Sequence, residues 1–304
     1  VFLSIEKDTL FPEVMHEMQK TRPWAILAAG AAIQVLTGLP AAWGVFQRPV
    51  MEEYGLSEQG AGYAFGILIA AFGVGCVLGG FLQDSRGPRC AALWGTALLC
   101  GGFFAASMLP GGSAVSFFLA FSIPAGLGTA FLYPSIQSCA QKWYAGRKGL
   151  ATGVIGGAVG LSGAFLTVFV RTAVSGFGIV QGIRGAFWAL GAITLPVCLA
   201  GSLLLQDPPQ DAEKQQQSDK NTIDLSPWQM LKTKQYWLCA GAVCFSTPAV
   251  LLFSPIILKL GMERGLDESA ALWAVVLGSV GSAAGRLLMP LLSDRIGRRP
   301  TDLI

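Results

Sequence analysis

Arg286 stands alone as a charge inside the apolar run Ser269–Leu292, a stretch long enough to cross a membrane. It lies eight positions before Asp294, roughly 12 Å along a helix axis at 1.5 Å per residue. That is near the middle of a hydrocarbon core about 30 Å thick. An arginine there costs about 2.5–3.5 kcal/mol on insertion scales, so it persists where it faces a cavity and binds something. Its planar guanidinium presents paired donors that match a carboxylate. The competing reading is that Arg286 snorkels toward the membrane surface or meets a helix-end carbonyl.

Four further residues could share such a site. Gln34 and Thr37 are one helical turn apart and can face the same cavity, or bond a neighbouring helix. Tyr133 can donate to a bound carboxylate or pack against Pro134 and a neighbour. Trp43 can wall a site or sit in an interfacial belt, and its place near the end of its apolar run favours the belt. Arg171 and Arg184 fall at the ends of apolar runs and suit interfacial anchoring, with attraction of anions as the alternative. Glu52, Glu53 and Glu58 read as a solvated turn and helix start, and no acidic residue is clearly buried in a span. Proton uptake at a carboxylate buried in a span is therefore not expected.

No catalytic residues are expected, because no nucleophile–base–acid set is present. ATP is excluded as an energy source by the lack of a G-x-x-x-x-G-K-[ST] loop. His16 is the single histidine and the seven cysteines show no paired spacing, so no metal, cofactor or disulfide framework is expected. The cysteines read as small packing residues in a reduced setting. No nucleic-acid partner is expected; the partners are a small-molecule solute and the lipid bilayer.

The elements that must hold these residues are long and apolar. Hydrophobic residues make up 53% and charged residues 13% of the chain, about half the charged share of a soluble domain. The mean hydropathy is +0.55, and the 39 glycines suit close packing of spanning helices. Eight spans are expected, over about Pro23–Phe46, Ala61–Gln83, Cys90–Leu109, Ala114–Ala140, Gly149–Val170, Gly182–Leu205, Gln235–Leu258 and Ser269–Leu292. The first is preceded by a polar stretch and is too long for a cleaved signal peptide. The segment 206–234 is polar, contains Asp207-Pro208-Pro209 and a run of Glu, Lys, Gln and Asp, and reads as a linker. The chain thus divides into 1–22, an N-terminal segment; 23–205, six spans; the linker 206–234; and 235–304, two spans and a cationic loop. Fifteen Lys and Arg fall on one side of this topology and five on the other, with Arg286 inside a span, accounting for all 21. The side richer in Lys and Arg is expected to be cytoplasmic, which places the linker and N-terminus there, in a plasma or inner membrane.

Two short cationic turns punctuate the spans. Asp84-Ser85-Arg86-Gly87-Pro88-Arg89 and Asp294-Arg295-Ile296-Gly297-Arg298-Arg299 share the pattern D-x-x-G-x-R at an offset of 210 positions. At the same offset Glu53-Tyr54-Gly55-Leu56-Ser57-Glu58 falls on Glu263-Arg264-Gly265-Leu266-Asp267-Glu268. Two ungapped matches at one offset argue for a duplicated membrane unit, a mark of secondary transporters.

Six spans, a linker and a cationic motif after the second and eighth spans resemble the major facilitator superfamily. Gly80, Asp84, Gly87 and Arg89 match its loop motif, with Pro88 where that family often has arginine. Asp294, Arg295, Gly297, Arg298 and Arg299 match it in the second copy, with Pro290 in place of the leading glycine. Gln34-Val35-Leu36-Thr37-Gly38, Gly126–Pro134, Gly149-Leu150-Ala151-Thr152-Gly153 and Gly285-Arg286 resemble the oxalate/formate antiporter family and, more loosely, the monocarboxylate transporters. Ala41-Ala42-Trp43 departs from that family's Tyr-Ala-Trp.

The resemblance implies an all-α major facilitator fold with eight of twelve helices present and the last four missing. It implies a monomeric secondary transporter, when complete, that moves a small organic anion by alternating access. Arg286 would bind the carboxylate together with Gln34, Thr37, Tyr133 and Trp43. Asp84, Arg86, Gly87, Arg89, Asp294, Arg295, Gly297 and Arg299 would act in gating, Asp294 against the start of the fifth span near Gly149–Gly153; the alternative is that these charges only set topology. A different solute (sugar, drug or nucleoside), or a truncated non-transporting membrane protein, is the competing expectation. The exposed face of the site is expected to include Gln34, Tyr133 and Arg286, with the six spans packed as two inverted three-helix repeats and the last two spans against them.

Overall fold

The computed structural model describes residues 23–111, 113–177, 179–208, 227–253 and 256–297. They form α1 (Pro23–Thr37), α2 (Leu39–Tyr54), α3 (Glu58–Arg86), α4 (Pro88–Met108), α5 (Ala114–Phe117), α6 (Ile123–Trp143), α7 (Lys148–Phe177), α8 (Ile179–Leu204), α9 (Pro227–Met230), α10 (Lys234–Phe253), α11 (Ile257–Glu263) and α12 (Glu268–Ile296). No strand occurs among the described residues. The helices overrun the expected apolar bounds because polar cap residues continue them into the interface. Ser57, for example, starts α3 by accepting the Gly60 N–H at 3.1 Å.

Seven helices are long and apolar enough to cross a membrane among the described residues, against eight expected. α10, 20 residues from Lys234 to Phe253, covers most of the expected seventh span, and the short α11 follows it. The first span is one crossing made of two helices, α1 and α2, broken at Gly38. α5 runs into α6 through a π-helical turn, Phe118–Ser122. The turn lies just before Pro124, which cannot donate to the carbonyl four residues back.

The duplication is visible in the backbone. The described residues with positive φ are Gly55 (64°), Gly265 (87°), Gly87 (83°) and Gly297 (91°), two pairs at the offset of 210. Each ends a helix, where a left-handed conformation needs no side chain.

Within the first six spans the packing follows a pseudo-two-fold pattern. α3 packs on α6 as α7 packs on α1 and α2; α4 packs on α6 as α8 packs on α1 and α2; and α4 packs on α8. Phe121 sits at the centre, with ring centroids 4.9 Å from Phe187, 5.2 Å from Phe117, 6.0 Å from Phe103 and 6.4 Å from Trp43. Of the last two spans only α12 packs closely, along α7. α10 departs from the expectation: it is exposed along most of its described length, with Phe245 91% exposed.

Candidate functional site

The α7–α12 contact is an antiparallel seam made of glycines on one helix. A Cβ at Gly149 would lie 2.2 Å from the Pro290 carbonyl oxygen, one at Gly153 2.9 Å from that of Leu287, and one at Gly160 2.5 Å from the Ala283 Cα. Only hydrogen fits such positions, so the backbones can approach as spanning helices do through small residues. At the end bearing the second cationic turn, the Asp294 carboxylate accepts the Gly149 N–H at 3.1 Å and the Leu150 N–H at 3.2 Å. It thereby caps the first turn of α7, where unpaired N–H groups and the helix dipole favour an anion. The contact expected for Asp294 is present.

Arg286 lies on this seam but is not consumed by it. Gly156 packs against it: a Cβ there would stand in ordinary contact, 3.6 Å from the Arg286 Cβ and 4.0 Å from its Cδ. The arginine is exposed, two turns from the Asp294 contact. The seam continues to Gly163, where a Cβ would meet Ser279 Oγ at 2.5 Å and the Ala41 Cβ at 3.0 Å. Here the first span joins α7 and α12, seven residues or roughly 10 Å along α12 from Arg286. The break in the first span is adjacent: a Cβ at Gly38 would lie 1.5 Å from Ser162 Oγ.

Gln34 and Thr37 stand just before that break. Both are buried, at 0% and 1% exposure, and Thr37 Oγ1 donates to Gln34 Oε1 at 2.6 Å. Gln34 Nε2 is buried with no hydrogen-bond partner among the described residues. The expectation of an exposed Gln34 is therefore corrected; packing of α1 against α7 and α8 covers it. Trp43 is likewise corrected. It is 1% exposed, between Phe65 at 5.9 Å and Phe121, so it belongs neither to an interfacial belt nor to an open wall. Tyr133 is half-buried, 6.4 Å from the ring of Phe72.

The two cationic turns differ. Gly87 and Gly297 close α3 and α12 alike, donating to Gln83 O at 2.8 Å and Ser293 O at 3.1 Å. Asp84, Arg86 and Arg295 are exposed. Arg89 is half-buried, with Nε and Nη2 enclosed and unbonded among the described residues. Arg298 and Arg299 lie outside the described residues.

Of the acidic trio, Glu52 and Glu58 are exposed as expected, Glu58 at a helix start, and only Glu53 departs from the expectation. Glu53 is buried and its carboxylate is paired with Arg184. Glu58 pairs with Lys259, and Glu52 with Arg48 at 3.0 Å. Glu53 is thus a buried acid near the end of a span, which the sequence reading held absent.

The sequence model of the family described as Major Facilitator Superfamily matches residues 23–303. The oxalate:formate antiporter of Oxalobacter formigenes is 24% identical over 269 residues, covering 88% of this chain and 62% of that protein. Monocarboxylate transporter 2 of Homo sapiens is 27% identical over 273 residues, covering 82% of this chain and 55% of that protein. The chain thus spans less than two thirds of the length of either relative. Among solved structures, the proton:xylose symporter XylE bound to 6-bromo-6-deoxy-D-glucose superposes with a TM-score of 0.64 at 15% identity, over 91% of this chain and 70% of that one. At that identity the likeness shows the fold alone.

Proposed function

The chain belongs to the Major Facilitator Superfamily, and from that premise we propose that it carries a small organic anion across a membrane by alternating access. The solute proposed is a mono- or dicarboxylate of the oxalate or formate kind, bound by Arg286. The observation that carries this reading is Arg286 itself: a guanidinium deep in a membrane helix, exposed, with its stem against Gly156 and unclaimed by any ion pair among the described residues. A carboxylate would offset the cost of holding that charge there. The names of the antiporter and monocarboxylate relatives support the same solute class and, for the former, exchange as the mode. Gln34 is proposed to reach the solute through its unbonded Nε2, held by Thr37, with Tyr133 as a further donor. Trp43 is proposed to support the site through packing. The cytoplasmic placement of the N-terminus and linker remains part of this proposal, as does the division at 205 and 235.

A second solute class is favoured by one observation, the structural likeness to sugar symporters. One experiment separates the two. The product of the full reading frame is reconstituted in proteoliposomes and uptake of labelled oxalate, formate and xylose is measured. Arg286→Gln should abolish carboxylate uptake with membrane insertion unchanged. Unaltered uptake would mean that Arg286 merely snorkels. Xylose uptake insensitive to that substitution would favour the sugar reading.

A further inference from the structure

The seam between the first six spans and the later helices is tied at both ends, by different chemistry. At the end bearing the cationic turns, Asp294 holds the start of α7. At the opposite end, Lys259 on α11 meets the Glu58 carboxylate, at the first residue of α3. These two residues are 201 positions apart, and α11 also rests on α2 and α12. α12 runs from one tie to the other, 29 residues or roughly 43 Å at 1.5 Å per residue. The Arg286 and Gly38 region lies between them.

We propose that Lys259 and Glu58 form a latch that closes the end of the seam opposite the cationic turns, and that it opens when the site is reached from that side. This rests on the alternating-access reading above. The physical case is the asymmetry of the two ties. Asp294 is bound by two backbone N–H groups of a helix that cannot move without losing them. Lys259 and Glu58 are side chains 51% and 61% exposed, free to exchange each other for water. Lys259 also has Glu263 at 3.9 Å on its own helix, a second carboxylate that receives the ammonium when Glu58 leaves. The hydrogen bond to Glu58 raises the Lys259 pKa above its ordinary value, so the ammonium stays charged across the physiological range. An exposed ion pair is a weak tie, suited to a contact that must break in every cycle.

The test places one cysteine at position 34, which is fully enclosed in this state, in a chain whose seven native cysteines are replaced and which still elutes as the parent does. Sealed vesicles receive a membrane-impermeant maleimide on the side opposite the cationic turns. Glu58→Lys and Lys259→Glu alone should each raise the labelling rate, by up to about fivefold for a tie of this exposure. The exchanged pair Glu58→Lys/Lys259→Glu should bring it back toward the parent. Equal rates in all four proteins, or no recovery in the exchanged pair, would overturn the latch. In the unmodified protein, a carbodiimide should couple Lys259 to Glu58 and yield a 58–259 linked peptide; its absence would overturn the contact. Labelling that follows this pattern while the protein with Gln34 intact transports no carboxylate would reject the solute assignment and leave the latch standing.

Discussion

Asp294 and Gly149 are fitted to each other: the Asp294 carboxylate accepts the Gly149 N–H, and a methyl group on Gly149 would lie 2.5 Å from that same carboxylate. Charge, helix end and missing side chain are one device. An aspartate at the end of one helix needs two free N–H groups, and the first turn of α7 offers those of Gly149 and Leu150 where the bare glycine lets the carboxylate approach.

Removing the charge should weaken this tie without collapsing it. Asp294→Asn keeps the shape but loses the interaction of an anion with the helix N-terminus, worth about 0.3–1 kcal/mol at an exposed site. Labelling from the side of the cationic turns should rise about two- to fivefold by that amount. Gly149→Ala should do at least as much through sterics, because the Pro290 carbonyl stands at 2.2 Å and is backbone.

The glycines of the chain should separate into two behaviours. At Gly160 a Cβ would meet Ala283 backbone atoms at 2.5 and 2.6 Å, whereas at Gly66 nothing lies within 4 Å. Gly160→Ala should destabilise by about 1–3 kcal/mol through overpacking. Gly66→Ala should be neutral or stabilise by up to about 1 kcal/mol, since alanine loses less backbone entropy in a helix. Thermal unfolding in detergent, with both variants side by side, checks this; equal behaviour would show that the seam relaxes freely.

Much of this was legible in the residues. The 210-residue offset named Gly55, Gly87, Gly265 and Gly297, and those are the described residues with positive φ. A helix that must turn sharply into its neighbour needs glycine at its end, so backbone chemistry leaves a trace in sequence. The contact of Asp294 with the start of α7 followed from the family motif. What stayed hidden was long-range pairing. Glu53 stands beside Glu52 in an acidic run, and nothing local tells that one is paired on the surface with Arg48 while the other turns inward to Arg184. Trp43 was hidden for the same reason: its neighbours Phe65 and Phe121 come from other spans.

The break in the first span should be sensitive to a single methyl group. Gly38→Ala places a Cβ 1.5 Å from Ser162 Oγ and 2.5 Å from the Ser162 Cβ, which should cost about 1–3 kcal/mol. Adding Ser162→Gly removes both atoms and leaves the Val159 carbonyl at 3.3 Å, so the double variant should regain most of the loss. If it does not, the serine hydroxyl, which donates to Val159 O at 2.5 Å, matters more than the space it occupies.

The latch pair carries a pH signature. Because Lys259 has its pKa raised by Glu58, its contribution is present below the ordinary lysine value and is lost as pH rises through the higher value in the folded protein. Divided by the rate of a free thiol at the same pH, which removes the cysteine's own ionisation at about 8.5, labelling at position 34 should therefore stay level from neutral pH to about 10 and climb only above it. A climb that starts near neutral pH would mean that another group controls the seam.

Arg184 and Glu53 should respond unequally to loss of their partner. The Arg184 side chain is 37% exposed, whereas that of Glu53 is 3% exposed and has one oxygen, Oε2, with no hydrogen bond among the described residues. Glu53→Gln leaves an arginine that can turn to water, so the loss should be about 1 kcal/mol. Arg184→Gln strands a buried carboxylate, which should cost about 3 kcal/mol unless the acid takes up a proton. The double variant Glu53→Gln/Arg184→Gln should be more stable than Arg184→Gln alone, because two neutral amides can bond each other where one charge could not be satisfied. Unfolding midpoints of the parent, both single variants and the double variant close the cycle. Equal losses in the two single variants would mean that Glu53 reaches water by another route and that the pair is an ordinary surface contact.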